Sequence, residues 1–136
     1  MNPKDMSGDK ELMDLFYEET QELIDAMIKN LSDLKDNPQP PDLGGQVKEM
    51  FRCTHIIKSS SDTVGFDSLQ KVAQCLENVF KAGLDENFKI TPERISLFLE
   101  GIEACQKLLK KQEGCNYEEL IERLNKEVPN RGGFDG

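Results

Sequence analysis

The amino-acid sequence predicts an all-α, up-down helical bundle: four long helices followed by a short fifth at the C-terminal end. Three observations carry this. Apolar residues recur at spacings of three and four along most of the chain, no alternating strand pattern competes with them, and the breaks fall at proline, glycine and capping residues. A length of 136 residues suits one domain with its own core. An apolar share of 37%, a charged share of 32% and no tryptophan fit helices that each bury a narrow stripe.

The first helix is predicted over residues 10–35, with Leu12, Phe16, Leu23, Met27, Leu31 and Leu34 on one face. It stops at Asp36-Asn37-Pro38, and the Gln-Pro-Pro-Asp-Leu-Gly-Gly run that follows is a connector. A second helix carries Val47, Met50, Cys53, Thr54, Ile57, Ser61 and Val64 along one side and ends near Gly65. Asp67 with Gln70 reads as an N-cap and capping box for a third helix, which turns Leu69, Val72, Ala73, Leu76, Val79 and Phe80 inward and stops at Gly83. Thr91-Pro92 opens a fourth helix with Ile95, Phe98, Ile102, Cys105 and Leu109, stopped near Gly114. Asn116 with Glu119 caps the fifth, which carries Leu120, Ile121, Leu124 and Val128. The expected organisation is a flexible N-terminus at 1–9, the bundle at 10–128, and a disordered tail or linker at 129–136.

A net charge of -9 opposes binding to nucleic-acid phosphates or anionic lipid, so neither nucleic acid nor membrane is an expected partner. No apolar run reaches the roughly 18 residues of a membrane span, and the N-terminus lacks a signal-peptide core, so a cytoplasmic protein is expected. Cys53, Cys75, Cys105 and Cys115 are scattered singly, which argues against a zinc site and for small, partly buried hydrophobes. No metal or cofactor is expected.

The candidate chemistry lies on the second helix. At about 100° per residue, His55 falls roughly 140° from the centre of the apolar stripe and faces solvent. Lys58 sits one turn on, nearer the core boundary, while Ser59 and Asp62 continue the outer side. A surface imidazole with a cation one turn away can act as a nucleophile toward a phosphoryl group, because the ammonium offsets the incoming charge. Spacing alone does not separate this from an ordinary surface histidine beside an ordinary lysine, which is the commoner case. On the third helix Gln70, Gln74, Glu77 and Lys81 form a polar stripe that could border His55 if the two helices pack antiparallel. A carboxylate there could accept the Nδ1 proton and leave Nε2 free to attack, although a solvated helix face fits the same spacing.

The run from 55 to 66, H-I-I-K-S-S-S-D-T-V-G-F, resembles the phosphorylation-site helix of histidine phosphotransfer domains. It is most similar to the N-terminal domain of CheA-type chemotaxis histidine kinases, whose usual run is H-S-I-K-G-G-A-G-T-F-G-F. His55, Ile57, Lys58, Thr63, Gly65 and Phe66 agree in register. Leu76-Glu77-Asn78 matches the family's Leu/Met-Glu-Asn segment, Leu97-Phe98-Leu99-Glu100 agrees on the fourth helix, and Phe16-Tyr17-Glu18-Glu19-Thr20 looks like the opening Phe-x-Glu-Glu-Ser. The resemblance covers about residues 12–112.

It implies a four-helix core, phosphorylation on Nε2 of His55, Lys58 near the phosphoryl oxygens, and Glu77 hydrogen-bonded to Nδ1. Gln74 stands where some members carry a second histidine, so a polar contact but no second titrating group is expected there. Ser59-Ser60-Ser61-Asp62 replaces the small Gly-Gly-Ala-Gly segment, adding bulk and a negative charge where a partner approaches. The implied partners are the ATP-binding domain of a histidine kinase, which donates the phosphoryl group, and the receiver domain of a response regulator, whose aspartate accepts it. With no Gly-rich nucleotide run and no ATP box, the chain is expected to be a phosphotransfer intermediate rather than an enzyme, and its end at residues 129–133 is compatible with a linker to a downstream kinase. A helical adaptor that binds a partner with His55 incidental is the alternative.

Overall fold

The computed structural model describes residues 6–85, 87–111 and 116–129, with side chains from Lys10 onward. Among them are five α-helices and no strand: α1 (Met6–Asp36), α2 (Leu43–Val64), α3 (Asp67–Ala82), α4 (Pro92–Leu109) and α5 (Tyr117–Asn125). α1 and α3 each pack against both α2 and α4, which closes a four-helix ring, and α5 lies across α3 and α4. This is the all-α bundle with a short C-terminal helix that the periodicity predicts. α1 starts at Met6 rather than at residue 10, so positions 6–9 of the predicted flexible segment are helical. Residues 1–5 and 130–136 lie outside the described residues.

The predicted stripes of α2, α3 and α4 are the buried faces, with Val64 partly buried at the margin. Phe80 of α3 and Phe98 of α4 meet edge to face at 5.4 Å in the centre of the core. On α1 the buried line runs through Phe16, Thr20, Ile24, Met27, Leu31 and Leu34. Leu23 is only half-buried and Leu12, expected inward, is 54% exposed. The reason is angular: the true stripe centres on the Thr20–Ile24 side, which leaves Leu12 on its outer edge.

Two boundaries are corrected. Gly65, in the left-handed region at φ 77°, closes α2: its N–H donates to the carbonyl of Asp62 and that of Phe66 to the carbonyl of Ser61. The chain then re-enters a helix at once, so Phe66 rather than Asp67 is the N-cap of α3, its carbonyl accepting from the Gln70 N–H at 3.0 Å. Asp67 sits in the first helical turn, where its negative charge still suits the positive end of the helix. α4 ends at Leu109, followed by a turn with Lys111 at φ 57°, and the predicted stop at Gly114 lies outside the described residues.

The other caps are as expected, with the Thr91 hydroxyl accepting from the Arg94 N–H and the Asn116 side chain from the Glu119 N–H, each at 3.2 Å. α5 is held by Leu120 and Leu124 in the core and by an ion pair from Arg123 to Glu100, and an ion pair from Arg94 to Glu127 ties down the turn just after it. Gly101, buried in the middle of α4, lets that helix approach α3 closely: a Cβ there would meet Leu76 Cδ2 at 2.7 Å.

Candidate functional site

Only Gly65 and Phe66 separate α2 from α3, so the two helices form a tight antiparallel hairpin. His55 lies nine residues before the end of α2 and Glu77 ten after the start of α3. At 1.5 Å per residue both stand about 14–15 Å from the turn, side by side. His55 faces outward, its side chain 57% exposed, while the Glu77 side chain is 9% exposed at the seam.

Glu77 is the hub. Its Oε2 is 2.6 Å from His55 Nδ1, and its Oε1 accepts from the Lys58 ammonium at 2.7 Å and from the Gln74 amide at 3.3 Å. Burial raises the Glu77 carboxyl pKa, but the hydrogen bonds and charges of Lys58 and His55 outweigh it and hold the group below the ordinary glutamate value. Glu77 is therefore a carboxylate, which can only accept, so Nδ1 must carry the proton it shares. In the neutral ring the lone pair is then left on Nε2, the nitrogen that Glu77 does not engage.

Of the residues singled out from sequence, His55, Lys58, Glu77 and Gln74 converge on this network. Lys58 is engaged by Glu77 rather than standing loose beside the imidazole. Ser59 and Asp62 do not join the network: both are exposed farther along the outer face of α2, and the Ser59 carbonyl accepts from the Thr63 hydroxyl at 3.0 Å. Asn78 was not singled out as a site residue, yet its side-chain oxygen accepts from Gln74 at 3.1 Å. Gln and Asn four apart on one helix face were the available signal.

A second feature that periodicity obscured is an apolar groove of about 220 Å³ between α1 and α2. Its apolar lining includes Leu12, Leu15, Leu23, Ile56 and Val64, joined by Glu19 and by hydroxyls such as Ser60 and Thr63, and it lies on the α1 side of α2 whereas His55 turns toward α3. Cys53, Cys75 and Cys105 are buried, and Cys115 lies outside the described residues. Burial, followed by the Glu49 carboxylate, pushes the Cys53 thiol up to about 11, so at neutral pH it is no nucleophile that His55 could serve. No helix among the described residues is long and apolar enough to cross a membrane.

Comparison with known proteins agrees with this geometry. The family model of the Hpt domain matches residues 11–129, nearly the whole chain. The chain belongs to the Hpt domain family. Similar relatives of this Hpt domain are chemotaxis proteins CheA: one from Klebsiella aerogenes, 35% identical over 69% of the chain, one from Borreliella burgdorferi, 30% identical over 74%, and one from Salmonella typhimurium, 30% identical over 88%. The Hpt domain spans only 14%, 11% and 16% of those proteins, respectively. The family-level resemblance read from residues 55–66 is thus confirmed across the fold.

Proposed function

We propose that this Hpt domain is a phosphoryl relay of two-component, chemotaxis-type signalling, accepting the group on Nε2 of His55 and passing it to a receiver aspartate. The observation that carries the reading is the 2.6 Å contact between Nδ1 and Glu77 on an otherwise solvent-exposed imidazole. In the acceptance step the Nε2 lone pair attacks the γ-phosphorus of ATP held by a kinase domain. The N–P bond forms, the P–O bond to ADP breaks, and ADP leaves with the electron pair. The ring, still protonated at Nδ1, becomes cationic, and the Glu77 carboxylate stabilises that charge. Lys58 offsets charge on the phosphoryl oxygens. Attack by a receiver carboxylate then returns the electron pair to Nε2. The helices supply position, and the kinase and receiver supply the nucleotide and metal chemistry.

This reading places the protein in the cytoplasm, where ATP is available to the kinase. A partner domain seated on Nε2 that also extends toward α1 would cover Ile56 and the apolar groove, whose Glu19 favours a partner with cations around an apolar knob. Ser59 and Asp62, on the same face, would tune that fit. The groove equally suits a helical adaptor, and labelling separates the two. The test is incubation with the ATP-binding domain of a CheA-type kinase and ATP labelled on the γ-phosphate. The wild-type chain should take up acid-labile, base-stable phosphate, and His55→Gln none. Uptake by the variant, or no uptake by either protein from kinase or small donor, would overturn the proposal.

A further inference from the structure

Glu77 has to keep one oxygen on Nδ1 while a lysine ammonium pulls on the other. Lys58 Nζ holds Oε1 at 2.7 Å while His55 Nδ1 holds Oε2 at 2.6 Å, so the carboxylate's orientation decides whether both contacts are kept. A carboxylate that rotated toward the ammonium would release the imidazole. What opposes that rotation comes from α3 itself, where Gln74, Glu77 and Asn78 share one side within about one turn. The Gln74 amide nitrogen lies 3.3 Å from Glu77 Oε1 and 3.1 Å from Asn78 Oδ1.

A primary amide nitrogen carries two hydrogens and its oxygen carries none. Both neighbours of the Gln74 nitrogen are oxygens, so that amide fits only one way round. Turned over, it would aim its own oxygen at two others. The same logic fixes Asn78, which must present its carbonyl and not its NH₂ to Gln74. Gln74 therefore donates both ways, one N–H to the Asn78 carbonyl and the other to the Glu77 carboxylate.

We propose that Asn78 is a positioning residue for phosphoryl acceptance, acting on His55 at two removes by aiming Gln74, which steadies Glu77. The proposal deepens the phosphoacceptor reading and rests on it. Removing the Asn78 oxygen frees Gln74 to leave Glu77 Oε1. The carboxylate then keeps only Lys58 on that side and turns toward it. Fewer molecules retain the Nδ1–H tautomer, and fewer present the Nε2 lone pair.

The test uses the full chain with Asn78→Ala, Gln74→Ala and the double variant. Alanine suits a helix interior, so α3 should persist, as the far-UV circular dichroism will show. Two quantities are read: the Nδ1–H fraction of His55 from its ring ¹⁵N shifts, and the initial rate of phosphorylation by phosphoramidate, which needs no docked protein. Asn78→Ala should lower the Nδ1–H fraction and slow labelling by about two- to threefold, the scale of one weakened neutral hydrogen bond. Gln74→Ala should do at least as much. The double variant should match Gln74→Ala, because Asn78 has no other route. An unchanged tautomer fraction in Asn78→Ala, or additive losses in the double variant, would overturn the proposal. If the wild-type chain accepted no phosphate, the functional reading would fall, while the tautomer measurement would still decide whether Asn78 positions Glu77.

Discussion

A carboxylate hydrogen-bonded to one ring nitrogen selects which nitrogen is the nucleophile and then balances the charge the ring acquires. Glu77 can serve both ends because its pKa is held below the ordinary glutamate value of 4.5 and it stays ionised at neutral pH. Glu77→Gln keeps the shape but offers an amide that can face Nδ1 with either atom, so phosphorylation by phosphoramidate should slow by about tenfold, the loss of one charge-assisted hydrogen bond. Stopped labelling with phosphate counting checks this, and equal rates would make Glu77 a structural residue only. The same pKa direction predicts a pH effect. A depressed folded pKa contributes stability that is present above the unfolded value and lost as pH falls through the folded one. The wild-type chain should therefore lose stability below about pH 4.5 more steeply than Glu77→Gln, which urea unfolding at pH 7 and pH 3 would show.

The helices set the frame in which that side chain works. α3 is clamped on one side by the two-residue link to α2 and on the other by the close approach of α4 at Gly101. An alanine there would gain about 1 kcal/mol in helix propensity. Its Cβ would however press on Leu76, which is fully buried and adjacent to Glu77 in sequence. Displacing a packed side chain costs about 1–3 kcal/mol, so Gly101→Ala should be net destabilising and should disturb the labelling rate of His55. A thermal melt and a phosphoramidate assay on one sample test this. A raised Tm with unchanged labelling would show that Leu76 moves aside freely.

At the scale of the whole molecule, a net acidic bundle carries an apolar groove between α1 and α2, on the helix that bears His55. Leu15 is 47% exposed there, so replacing it should barely affect folding. Leu15→Asp puts a charge into the path of an apolar knob, and transfer from the phosphorylated domain to a receiver should slow by about five- to tenfold, as for the loss of one good contact. Labelling by phosphoramidate should stay as in the wild type. Rapid-quench transfer assays would separate the two, and a uniform change in both rates would mean that the groove acts on His55 itself rather than on a partner.

Periodicity within each helix was enough to place all five helices, the buried stripes of α2, α3 and α4, and the outward position of His55, because an angle around a helix axis depends only on residue spacing. It was also enough to offer Gln70, Gln74, Glu77 and Lys81 as a stripe that could border the imidazole. Which of them meets Nδ1 depends on how far one helix slides along the other. That register is decided by the two-residue Gly65–Phe66 link and by the packing of α2 along α3. The family resemblance named Glu77 as the partner of Nδ1 where spacing alone could not, and the tertiary structure brings the two together and ties Lys58 to the same carboxylate. The tertiary structure also turned Leu12 outward and Ile24 inward, since packing against α2 and α4 decides which edge of a wide apolar face is covered.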